Sequence, residues 1–256
     1  MDATLENAND RRGTIAWQVG LGLLAFGLVH LAWGLVQAED WEGQLSYRKP
    51  ALFGLSFGLT LCSIGWFWPR LSSSTWDAPA DGLIVTSVAG EVGLIALQYW
   101  RGQPSHFNQV GWVNGSIEST MTALVTVATL GLLWLTWRAQ WFLQASSDVA
   151  WAIRGGLWFL LVSCAIGYGI AAIGQHQLAV GGSPEIYGRA GVLKFPHGVA
   201  IHALQVLPAM AMALRWLGVG EQTRLRWAQA AILVHALLLV YSLGQTFQGR
   251  GRWEFG

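Results

Sequence analysis

"TIAWQVGLGLLAFGLVHLAWGLV", residues 14–36, decides the fold class. It contains no Asp, Glu, Lys or Arg. At about 1.5 Å of rise per residue, a helix of this length crosses the ~30 Å hydrocarbon layer of a bilayer. Helical winding also satisfies each backbone N–H and C=O internally, which lipid demands. Working outward, similar apolar runs recur near 50–70, 82–100, 116–138, 150–173, 195–217 and 224–246. The expected fold is therefore all-α: one seven-transmembrane-helix bundle over residues 1–256. A polar N-terminal tail covers 1–13 and a C-terminal tail covers 247–256.

Composition agrees. Only 11% of the 256 residues are charged and 53% are hydrophobic, against roughly 25% charged in soluble domains. A net charge of +1 offers no basic footprint for nucleic acid. Sixteen tryptophans suit a chain rich in membrane–water interface positions. The opening "MDATLENANDRRG" lacks the basic-then-short-apolar order of a cleaved signal, so the first run reads as a retained helix. Cys62 and Cys164 both fall inside apolar runs and read as small buried hydrophobes.

Seven crossings put the two termini on opposite sides. The far side, opposite the N-terminus, receives the longer connections 37–49, 101–115 and 174–194, with "RGQPSHFN" (101–108), "GQHQ" (174–177) and "PEIYGRAGVLKFPHG" (184–198). They deliver Arg48, Lys49, Arg101, His106, Asn108, His176, Arg189, Lys194 and His197 to one face. Basic residues number eight on the N-terminal side and seven on the far side. The eight lie on short connections or just before the first span, where they weigh most. The expected orientation is N-terminus in the cytoplasm and C-terminus outside.

Ionisable groups within spans are expensive and mark candidate sites. Glu91 and His235 fall near mid-span, His30 and His202 in the far-side half. Gln98 follows Glu91 by two helical turns on the same face. His197 and His202 are five residues apart, which rotates their side chains about 140° from each other. They cannot form one chelate on a regular helix. His202 instead shares a face with Gln205, and His197 follows Pro196 in the first turn, available as ligand or base.

"RGQPSHFN" and "KFPHGVAIHALQVLP" together resemble a group of bacterial integral membrane proteins with Arg-Gly-x-x-Ser-His-Phe-Asn and Pro-His-x-x-x-x-His-Ala-x-Gln motifs. The resemblance covers roughly residues 45–215. It implies a bacterial inner (cytoplasmic) membrane location and no particular reaction. It marks Arg101, Ser105, His106, Phe107, Asn108, Pro196, His197, His202 and Gln205 as shared residues.

The leading expectation is a far-side His/Arg pocket that binds a metal ion or haem b and supports redox chemistry. His30, His106, His197 and His202 form the ligand pool. Glu91, His106 and His197 are candidate catalytic groups. Arg48, Lys49, Arg101, Asn108, Lys194 and Gln205 are candidates to hold a cofactor or anionic group. A second expectation is a metal-free enzyme acting on a lipid or isoprenoid headgroup, with membrane lipid and a lipophilic molecule as partners. A third is a transporter, a sensor or an accessory subunit beside a partner membrane subunit. Retinal is not expected, because Lys49 and Lys194 are the only lysines and neither is mid-span in the seventh run.

Overall fold

The computed structural model describes residues 12–39, 41, 45–184 and 193–254. Every regular element among them is helical. Seven segments are long and apolar enough to cross a membrane, as the sequence predicts. Arg11, Arg189, most of the N-terminal tail and the last two residues lie outside the described residues. The chain divides into two compact units, Met1–Leu135 and Thr136–Gly256.

The first unit holds α1 (Thr14–Val36), α2 (Arg48–Phe67) with a 3-10 turn at Trp68–Arg70, α3 (Asp77–Trp100) and the first part of α4 (Gly111–Phe142). α1 buries only Ala16, Gly20, Leu23, Gly27, His30 and Gly34, alternate steps of four and three. That stripe is a heptad seam, and its glycines recur every seven residues from Gly13 to Gly34. A Cβ on Gly27 would lie 2.7 Å from the Leu55 nitrogen and 2.8 Å from the Ala51 oxygen. One on Gly58 would lie 2.8 Å from the Gly20 oxygen. α1 and α2 thus pack backbone against backbone, as small residues permit in lipid. At the N-terminal end of α1, Arg12 donates to the carbonyls of Leu71 (2.7 Å) and Pro69 (3.1 Å) and pairs with Asp77 at 3.5 Å.

The second unit holds the rest of α4, α5 (Ser147–Ala179), α6 (Lys194–Ile201), α7 (Ala203–Trp216) and α8 (Glu221–Phe247). Two differences from the sequence reading matter. First, α5 continues to Ala179, so "GQHQ" is helical and His176 lies in its last turn. Second, the sixth span is interrupted: α6 ends and α7 begins at His202. Pro208 inside α7 has no N–H for the Leu204 carbonyl, and its ring crowds the turn before it. Asp148 and Arg224 form a buried ion pair at 2.6 Å, and Arg224 also donates to the Val219 carbonyl at 2.5 Å. Arg154 donates to the Ala139 carbonyl at 2.9 Å.

Candidate functional site

In the first unit, the chemistry gathers at the C-terminal end of α3 and the loop after it. Glu91 and Gln98 lie on one face of α3, and both are buried. Glu91 is 5% exposed, and its Oε2 has no hydrogen-bond partner among the described residues. Its Oε1 lies 3.7 Å from His106 Nε2, an electrostatic approach longer than a hydrogen bond. The other ring nitrogen, Nδ1, is 2.9 Å from Ser105 Oγ. The His106 ring rests against Phe53 at 5.8 Å between centroids. Its side chain is 33% exposed, so it links the buried carboxylate to the outside of the helix packing.

The loop that presents His106 is built by amides. Gln98 Nε2 donates to the Pro104 carbonyl (3.3 Å) and to Asn114 Oδ1 (3.2 Å). Arg101 donates to Gln98 Oε1 at 2.5 Å and to Asn114 Oδ1 at 3.3 Å. Asn108 and Asn114 both donate to Gln103 Oε1. Phe107 is held at φ 60°, a left-handed conformation that a bulky residue adopts only under constraint. Arg101 and Asn108, expected to hold a ligand, here shape the loop. A shallow dimple adjoins it, lined by Ser46, Lys49, Ile95, Tyr99, Gln103 and Ser105 among others. Ser105 is common to the dimple and to His106. Arg48 stands over the Trp41 ring at 5.9 Å.

His30 stands apart from that pair. Its Nδ1 is 3.0 Å from the Phe26 carbonyl of its own helix, and its Nε2 accepts from the Trp100 indole N–H at 3.1 Å. Phe26, Tyr99 and Trp100 surround the ring. Both nitrogens are engaged, and the acceptor role of Nε2 fixes the proton on Nδ1.

In the second unit, His197 Nδ1 lies 3.0 Å from both the hydroxyl and the carbonyl oxygen of Ser163. The sequence reading did not single out Ser163, a buried hydroxyl in an apolar run. His202, expected to share a face with Gln205, is exposed at the helix break, while Gln205 is half-buried. Lys194 is exposed. His235 bonds the Ala231 carbonyl of its own helix at 3.1 Å and packs on Phe159. Among the described residues, no group of three or more His, Cys, Asp or Glu side chains is placed to hold a metal ion.

Comparison of the chain with protein-family models, curated proteins and solved structures returned no match.

Proposed function

We propose that this is a proton-coupled membrane carrier in which Glu91 and His106 form the proton-exchange site. One observation carries the reading: a carboxylate inside a membrane-spanning helix, 5% exposed, with one oxygen unpartnered and the other facing a half-exposed imidazole. An ionisable group at that depth is expensive and marks ion or proton pathways. His106 supplies the relay, since imidazole accepts a proton at one nitrogen and releases it at the other. The interrupted sixth span supports the same class, because carriers build their sites at broken helices. In a bacterial inner membrane with the N-terminus in the cytoplasm, His106 exchanges protons with the outside.

The metal or haem reading draws less from the structure. His30 would have to surrender its bond to Trp100 before it could ligate.

A pH step followed by infrared difference spectroscopy of the reconstituted protein tests the proposal. The expected result is a protonated-carboxyl band that vanishes in Glu91→Gln and appears more slowly in His106→Gln. An unchanged band in a folded Glu91→Gln protein overturns it.

A further inference from the structure

We infer that the chain is an internal repeat of one three-helix element, and that the C-terminal segment Gly249–Glu254 is the second copy of the loop that carries His106. The inference stands on internal features of each unit and does not rest on the proton-exchange reading.

The first correspondence is in sequence. Ala16-Trp17 and Gly22-Leu23 of α1 recur as Ala150-Trp151 and Gly156-Leu157 of α5, at a spacing of 134 (150 less 16). In both helices the alanine and leucine are buried and the tryptophan is exposed. The second helix of each element opens on a lysine and a buried proline: Lys49-Pro50, then Lys194-Phe195-Pro196. Pro50 and Pro196 are 146 apart (196 less 50), and the third helices correspond at 147 (224 less 77). The step from 134 to 146 is taken up mostly within the first helix, 33 residues in α5 against 23 in α1, and partly in the connection that follows it. A repeat with a longer first helix in its second copy gives this pattern.

The second correspondence is an ion pair of opposite polarity. In the first unit, Arg12 before the first helix pairs with Asp77 in the first turn of the third. In the second unit, Asp148 in the first turn of the first helix pairs with Arg224 in the first turn of the third. The arginine of each pair also donates to a carbonyl in the connection between the second and third helices, Leu71 or Val219. The job is the same; the charges have changed places.

The third correspondence is at the other end of the third helix. Gln98 and Gln245 are both buried. Four residues later, Gly102 and Gly249 each take φ 65°. Each glutamine then turns its amide back onto the segment that follows. Gln98 Nε2 donates to the Pro104 carbonyl, and Gln245 Nε2 to the Glu254 carbonyl at 2.8 Å. Both segments then lie on the second helix of their own unit. His106 packs on Phe53, and the Arg252 guanidinium stands 5.6 Å over the Phe195 ring, two residues before His197. Tyr241 anchors the same segment through the Arg252 carbonyl at 2.8 Å. The counterpart of Glu91 is Leu238, so the second copy keeps the scaffold and carries its imidazole on the second helix, bonded to Ser163.

On this reading Gln245 is a positioning residue for the segment Gly249–Glu254, as Gln98 is for the loop that carries His106. The test is the rate of tryptic cleavage after Arg250 and Arg252 of the folded full chain, read by mass spectrometry, beside the rate of diethyl pyrocarbonate modification at His106. Gln245→Ala should raise the cleavage rate several-fold and leave the His106 rate unchanged; Gln98→Ala should do the converse. Gln245→Glu, which keeps the size and loses the amide donor, should follow Gln245→Ala. If both Gln245 variants leave cleavage at the wild-type rate, the assignment of the C-terminal segment is overturned. The repeat itself is tested by exchanging the polarity of the first pair. Arg12→Asp and Asp77→Arg should each lower the melting temperature, and together they should restore at least half of the loss. A double variant no better than the worse single one overturns the repeat.

Discussion

Replacing Gly27 by alanine adds a single methyl group, and the structure sets what that methyl must displace. Its Cβ would lie 2.7 Å from the Leu55 nitrogen and 2.8 Å from the Ala51 oxygen, both backbone atoms of α2. Ordinary contact begins at 3.4 Å, so the two helices must separate locally by about 0.7 Å (3.4 less 2.7). No side chain can rotate away to relieve this. Overpacking of this kind costs about 1–3 kcal/mol, and the better helix propensity of alanine returns up to ~1 kcal/mol. The expected net loss for Gly27→Ala is about 1–2 kcal/mol. Gly22 lies on the same helix, and a Cβ there meets nothing within 4 Å. Gly22→Ala should therefore gain about 0.5–1 kcal/mol. Equilibrium unfolding of both variants in mixed micelles reads the difference directly. If Gly27→Ala proves as stable as Gly22→Ala, the backbone-to-backbone seam is wrong.

Three further outcomes are expected. Arg224→Ala leaves buried Asp148 without its partner and should lose about 3–5 kcal/mol, seen as a large drop in melting temperature. Phe107→Gly should be more stable than Phe107→Ala by about 1 kcal/mol in the same unfolding assay, because only glycine takes φ 60° without a Cβ clash. Trp100→Phe removes the donor to His30 and should destabilise by about 1–3 kcal/mol. The His30 Nε2 resonance in nitrogen NMR should shift with it, and an unmoved resonance would show that the indole bond is not formed.

The seven crossings were legible because each rests on one coarse property, apolar length. So was the start of the sixth span, where Pro196 is buried in the first turn. The pairing of Glu91 with His106 was within reach, since both were singled out, but a loop residue's aim is not encoded in helical periodicity. Three features escaped. The break at His202 has no proline or glycine within three residues to mark it in the letters. The amide network of Gln98, Gln103, Asn108 and Asn114 was visible as a density of Gln and Asn around one loop. Reading it as scaffold rather than ligand site needs the bond directions. The seven-residue glycine period in α1 was present in the letters, but glycine carries no apolar signal, so a search for hydrophobic periodicity passes over it.

That period has a further consequence for permeation. At Gly20, Gly27, Gly54 and Gly58 an added Cβ would come within 3.0 Å of backbone atoms of the facing helix, so no water molecule fits between α1 and α2 at those points. A file of water molecules along the seam would be broken at each of these close approaches. The proposed proton exchange therefore needs its water at His106, the partly exposed group beside Glu91.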